Sequence, residues 1–148
     1  MAGQTVAIAS DHAGFTLKSM LRADLEADGY TVLDLGTDGP DSVDYPDFGY
    51  ALANAIADGK AEKGVLVCGS GIGISIAANR NPAVRAAVVT NALTAKLARQ
   101  HNDANVVCFG ERLVGSEIAR DAMKVFLETE FEGGRHARRV DKLSKPQT

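Results

Sequence analysis

The chain has 148 residues, 45% hydrophobic and 24% charged, with a formal net charge of −3. That length suits one domain able to bury a core, and the charge excludes a nucleic-acid binder held by bulk electrostatics. No apolar run approaches the ~20 residues that cross a bilayer, and "MAGQTVAIAS" lacks the basic opening of a signal peptide.

In chain order, "TVAIAS" (Thr5–Ser10) reads as a first strand. Leu17, Met20, Leu21 and Leu25 follow at helical spacing, with Gly29 as the stop. "TVLDL" (Thr31–Leu35) is a second strand. Phe48, Leu52, Ala55 and Ile56 then form a helical stripe between Pro46 and Gly59. "GVLVC" (Gly64–Cys68), "AAVV" (Ala86–Val89) and "NVVCF" (Asn105–Phe109) are further strands. A helical run, "ALTAKLARQHND" (Ala92–Asp103), separates the last two. A final stripe, Ile118, Ala122, Val125 and Phe126, has Ser116 as the predicted N-cap. Near-continuous apolarity in the strands suits a parallel sheet covered on both faces. The expected fold is therefore α/β: a single Rossmann-like, three-layer α/β/α domain over residues 1–148 with a five-stranded parallel sheet. After Glu132 the pattern breaks, and "GGRHARRVDKLSKPQT" reads as a basic C-terminal arm over 133–148, detached from the core.

In open parallel sheets ligands bind beyond the carboxyl ends of the strands, where the chain order reverses. The first strand ends in Ser10-Asp11-His12 and the third in Cys68-Gly69-Ser70-Gly71. If these strands are neighbours, an acid, an imidazole and a thiol converge on one crevice. The loop Gly69, Gly71, Gly73 is not a dinucleotide fingerprint, because the third glycine of that pattern falls on Ile74. No Gly-Lys-Ser/Thr follows, so it is not a P-loop either. What remains is a row of backbone N–H groups from Gly69 through Ser70, Gly71 and Ile72 to Gly73, opening a helix and suited to a phosphate or a developing oxyanion. Cys68 at such a terminus has its thiolate favoured, which makes it a usable base. Cys108 has no comparable loop and is assigned to core packing. The two cysteines show no metal-ligand spacing and require no disulfide, so a reduced, cytoplasmic protein is the expectation. His101, with Asn102, ends a helix, a place that favours an imidazolium able to deliver a proton, although on its own it reads first as a solvated helix cap. Arg135 and Arg139 are four apart, on one helical face, with His136 and Arg138 beside them. They suit a phosphate clamp or, equally, a solvated basic tail. Arg112 lies just past the fifth strand, on the same sheet edge as Cys68.

Four stretches carry a resemblance: "SDHAGFTLK", "VLVCGSGIGISIAANR", "RQHNDANVVCFGERLVG" and "FEGGRHARRV". Together, from about Thr5 to Val140, they resemble the type B ribose-5-phosphate isomerases of the ribose/galactose isomerase family, in the branch whose base is a cysteine. The resemblance implies interconversion of ribose 5-phosphate and ribulose 5-phosphate through an enediolate, with no metal and no organic cofactor. It makes Cys68 the base and His101 the ring-opening residue. Ser70 stands where many relatives have threonine, and Gly69 to Gly73 would hold the enediolate. Asp11 and His12 would contact the sugar, and Asn102, Arg112, Arg135 and Arg139 would complete binding. In a second branch a glutamate of the same loop is the base; here the loop offers Ile74 and Ser75, so Cys68 has no rival. Members form homodimers or homotetramers with shared sites, which would make the basic arm a reach to a partner subunit. The alternatives are an isomerase of galactose 6-phosphate, allose 6-phosphate or a tetrulose phosphate, and a sugar-phosphate-binding module without turnover. A nicotinamide oxidoreductase is disfavoured by the displaced third glycine.

Overall fold

The computed structural model describes residues 3–147. Five strands, β1 (Thr5–Ser10), β2 (Thr31–Asp34), β3 (Lys63–Cys68), β4 (Ala86–Val88) and β5 (Val106–Gly110), form one sheet in the order β2-β1-β3-β5-β4. Every neighbouring pair is parallel. The helices are α1 (Phe15–Ala27), α2 (Tyr45–Ala57), α3 (Ile72–Asn79), α4 (Ala92–Asn102), α5 (Ser116–Glu128) and α6 (Arg135–Leu143).

The central strands are buried on both faces, as their unbroken apolar runs require. On one face Val6, Ile8, Val65, Val67, Val107 and Phe109 pack against residues from α1, α4 and α5, among them Leu21, Ala98 and Phe126. On the other, Ala7, Ala9, Leu66, Cys68 and Cys108 meet Leu52 and Ala53 of α2 and Ile74 and Ala78 of α3. Among the described residues no helix is long and apolar enough to cross a membrane.

Two readings from sequence need correction. Ser116 is the first residue of α5 rather than its cap; Gly115 occupies the N-cap, and no side chain bonds there. The buried stripe of α5 is Ala119, Ala122, Met123, Phe126 and Leu127, while Ile118 is exposed and Val125 half-buried. The apolar residues on this helix exceed what one face accommodates, so spacing alone selected a stripe rotated off the core. The second correction concerns the tail. Residues 135–143 form α6, seated on this chain's own α4 through buried His136 and Val140. The predicted arm is therefore not detached from the core.

One buried ion pair braces the sheet edge nearest the crevice. Lys18 on α1 is 2% exposed, and its Nζ donates to both carboxylate oxygens of Asp34 at 2.8 and 3.0 Å and to the Thr37 carbonyl at 2.7 Å. Arg22 donates to the same carboxylate at 2.9 Å. Burial alone would raise the Asp34 pKa, but the Lys18 hydrogen bond, the Gly36 N–H and the two cations outweigh it and hold the carboxyl below its usual range. The pair fixes the loop after β2, which runs from there to the site.

Candidate active site

β1 and β3 are neighbours, with Ser10 beside Val67, so the chain departs from this pair in opposite directions along the sheet. The crevice beyond their carboxyl ends is where such folds place ligands. It holds a cleft of ≈ 550 Å³ lined by Asp11, His12, Tyr45, Cys68, Gly69, Ser70, Ile72, Gly73, Arg112 and Leu113.

Each side chain there is held from below. Asp11 is buried, and its Oδ1 accepts the Gly14 N–H at 3.1 Å, capping a short 3-10 turn over His12–Gly14. Gly14 must lack a side chain, because a Cβ would sit 2.6 Å from the Val67 carbonyl carbon. The His12 Nδ1 accepts the Val43 N–H at 3.1 Å, which fixes the neutral tautomer with its hydrogen on Nε2. Cys68 closes β3 with 4% of its surface exposed, on the cleft floor. Its Sγ accepts the Gly71 N–H at 3.1 Å. Gly71 is the N-cap of α3 at φ +79°, a left-handed conformation that suits glycine. A Cβ there would stand 2.8 Å from the Phe109 carbonyl carbon. The sulfur thus lies at the positive end of α3, facing backbone donors.

Two N–H groups of the glycine loop are used inside it. Gly71 donates to the sulfur, and Ile72 donates to the Ser70 Oγ at 3.2 Å. The Ser70 hydroxyl, accepting there, keeps its own hydrogen to offer to a ligand. Arg112 rests its guanidinium on Gly69, where a Cβ would meet Nη1 at 3.2 Å. Its loop is laced to β3 by the Glu111 N–H on the Cys68 carbonyl at 2.9 Å and the Arg112 N–H on the Gly69 carbonyl at 3.0 Å. The Glu111 carboxylate accepts the Leu17 N–H at 2.7 Å in the first turn of α1.

Three contributors escape sequence reasoning. Tyr45 opens α2 and lays its ring across Gly73, where a Cβ would fall 2.6 Å from Cε1. Leu113 lines the rim. Glu111 anchors the loop that carries Arg112. An aromatic following Asp44 reads as an ordinary helix start, and only its contact with a glycine 28 residues later reveals it.

The remaining predicted residues lie elsewhere. α4 runs antiparallel to the strands, so His101 and Asn102 in its last turn sit at the edge where strands begin. The adjoining Asn105 carbonyl accepts the Gly64 N–H at the start of β3, whereas Cys68 ends β3. Four strand residues, roughly 13 Å, separate the two edges. Arg135 and Arg139 are exposed on α6 beside His101, whose ring stacks on His136 with centroids 4.5 Å apart and planes 16° apart. Within one chain, then, the thiol, Asp11, His12, the glycine loop and Arg112 form one group, and His101, Asn102, Arg135 and Arg139 another.

Among the described residues His101, Glu132 and His136 have donor atoms within 4.8 Å of one another. Parallel rings aim their lone pairs side by side rather than at a common ion, and Arg135 and Arg139 raise the local positive potential on His136. The arrangement is suited to anions. Cys108, fully buried beneath α3, is free, and its thiol is pushed well above the usual range by burial and then by Cys68. It takes no part in the cleft.

A doubly wound α/β domain with a thiol on the cleft floor at its switch point, ringed by backbone and guanidinium donors, has a site of the class suited to a small anionic ligand. Comparisons with known proteins make this specific. The ribose/galactose isomerase family model matches residues 6–143. Ribose-5-phosphate isomerase B of Escherichia coli is 43% identical over 139 residues, covering 94% of this chain and 93% of that protein. The structure of Clostridium thermocellum ribose-5-phosphate isomerase B superposes with a TM-score of 0.95 at 48% identity, over 96% of each chain. The type B ribose 5-phosphate isomerase of Trypanosoma brucei gives 0.92 at 44% identity, over 98% and 99%. The chain belongs to the ribose/galactose isomerase family, and it is an isomerase.

Proposed function

We propose that the chain interconverts ribose 5-phosphate and ribulose 5-phosphate, with Cys68 moving the proton and the site completed by a second copy. The observation that carries this reading is the Cys68 sulfur, on the floor of an open cleft with a backbone N–H already directed at it. As the thiolate it takes the proton from C2 of the open-chain aldose. The electron pair moves into an enediolate, a proton passes from O2 to O1, and the same sulfur returns its proton to C1. A positioned base contributes roughly 10²–10⁴-fold. Pre-aimed donors for the enediolate contribute roughly a further 10²–10³-fold each, and the Ser70 hydroxyl and the free first-turn N–H groups of α3 are the candidates. His12 Nε2–H and Arg112 reach the sugar from the side walls.

Aldopentose phosphates exist mainly as furanoses, so a ring-opening proton donor is needed beside the thiol. His101 is that donor in this proposal, and it comes from a second copy. The exposed face of the molecule supports the pairing: Ile72 and Ile76 on α3 are 51% and 60% exposed, and Leu93 and Leu97 on α4 are 64% and 39% exposed. These flank β4 at the sheet edge. A two-fold pairing across that face sets the strand ends of one copy against the strand starts of the other. It thereby brings the His101, Asn102, Arg135 and Arg139 group to the Cys68 cleft. The arginines take the phosphate, whose binding energy positions the carbonyl near the sulfur. Galactose 6-phosphate, allose 6-phosphate and tetrulose phosphates differ in the distance between carbonyl and phosphate. Assaying them with ribose 5-phosphate, in deuterated solvent without added cofactor, tests the reading. Ketose formation with deuterium entering the carbon-bound position is expected for ribose 5-phosphate. Binding without exchange would reduce the protein to a binding module.

A further inference from the structure

The proposed chemistry gives His136 and Glu132 no task, yet the structure gives His136 a special place. It is one of few buried polar residues, 8% exposed, on a helix whose other buried side chain is Val140. We infer that His136 is a positioning residue for His101, holding that imidazole by ring stacking so that it meets the furanose oxygen of the substrate. This rests on the ring-opening role assigned to His101 above.

The need for support is local. His101 is the penultimate residue of α4, and the chain leaves the helix at Asp103 in a left-handed conformation, φ +45°. An imidazole on a last turn has few neighbours to fix its rotamer, and a misplacement of about 1 Å can cost roughly 10²-fold in rate. The α5–α6 segment supplies what α4 lacks. The Glu132 N–H donates to the Gln100 carbonyl at 3.1 Å, pinning the segment to the end of α4. Three residues on, α6 begins, and His136 lies flat against the ring of His101. Val140, one turn later on the same face, is 7% exposed and anchors the helix from below. The Ser144 Oγ receives Arg85 at 3.4 Å beyond it. The Glu132 carboxylate approaches the His136 Nε2 to 3.6 Å.

The charge state suits the task. Burial, then the neighbouring His101, then Arg135 push the pKa of His136 down, with Glu132 opposing and Arg139 adding to the descent. The shift favours the neutral form of the supporting ring. A neutral aromatic face can sit under an imidazole that carries a proton, whereas a second imidazolium would repel it.

The test is steady-state turnover of both substrates by His136→Ala and His136→Phe, with proton spectra of the His101 ring. Ribulose 5-phosphate has no hydroxyl placed to close a furanose, so only the aldose direction needs ring opening before proton transfer. His136→Ala is expected to lower kcat on ribose 5-phosphate about 10- to 100-fold, with kcat on ribulose 5-phosphate within about two-fold. The reaction's equilibrium constant links the two directions, so the aldose KM should fall with its kcat as unopened furanose occupies the site. His136→Phe, which keeps a flat ring, should restore most of the aldose kcat. The His101 ring protons should lose their stacking shift in His136→Ala and keep it in His136→Phe. Equal losses in both directions, no loss, or a phenylalanine as poor as alanine would overturn the inference. A wild-type protein without isomerase activity would instead overturn the proposed function, and the proton spectra would still report on the stack.

Discussion

The Cys68 end and the His101 end of this molecule are built by opposite means. At the first, nearly everything is backbone. Gly14, Gly71 and Gly110 allow main chains to approach so closely that a Cβ would stand 2.5–2.8 Å from a neighbouring carbonyl carbon. The thiol is buried but for the face it turns to the cleft. At the second, the groups are long side chains on the last turn of α4 and the exposed side of α6. The contrast matches what the proposed function asks of each end. A base and an anion hole need fixed geometry, because donors contribute only when aimed at where charge develops. A phosphate clamp needs reach and charge, which arginines supply at some expense in order. The two cysteines repeat the lesson within one sheet: Cys108 lies sealed between strands and helices, while Cys68, one residue from the loop, faces open space.

Breaking the first end should have the largest effect. Cys68→Ala is expected to cut kcat roughly 10²–10⁴-fold with an unchanged circular dichroism spectrum and retained binding of ribose 5-phosphate by calorimetry; wild-type turnover would remove the thiol from the chemistry. Separating the two ends comes next. Ile76→Asp with Leu97→Asp alters only exposed positions, so each chain should stay folded within about 0.5 kcal/mol per substitution. Light scattering should nevertheless report a monomer, and turnover should fall by about two orders of magnitude as the charged clamp and ring opener depart. A fully active monomer would place the whole site in one chain. Weakening the second end alone is milder. Arg139→Ala should raise KM for ribose 5-phosphate roughly ten-fold, the loss of one charge-assisted contact of about 1.5 kcal/mol, with kcat little changed; an unaltered KM would exclude it from the clamp. The smallest effect is on stability. Gly71→Ala forces a left-handed alanine costing about 1–2 kcal/mol and also drives its Cβ to 2.8 Å from the Phe109 carbonyl carbon, so Tm should drop by at least roughly 3–8 °C. A variant as stable as wild type would mean that the loop can re-form without the glycine.

The strands were legible because burial on both faces leaves an uninterrupted apolar run, and each predicted strand lies within one residue of its observed bounds. The loop at Cys68 was legible because glycines at alternate positions after a strand have few other uses. The rest depends on contacts between distant residues. Nothing in the order of residues says that Lys18 will bury its ammonium on Asp34, that Tyr45 will lie on Gly73, or that Glu111 will cap α1. Ile118 misled because α5 carries more apolar residues than its core face accepts. The tail misled because six charged residues between 135 and 145 suggested solvent, while two residues, His136 and Val140, sufficed to dock it. The separation of His101 from Cys68 follows from topology, since a helix returning from a parallel strand must end at the opposite edge.

That separation makes subunit complementation the most direct measurement. Cys68→Ala and His101→Ala chains, each inactive on ribose 5-phosphate, unfolded together and refolded as a mixture, should form mixed dimers. Each mixed dimer has one site carrying both substitutions and one carrying neither, so random pairing restores about a quarter of wild-type turnover. If mass spectrometry shows mixed dimers and the mixture stays inactive, the thiol and the imidazole do not meet across two copies, and the account given for this site is wrong.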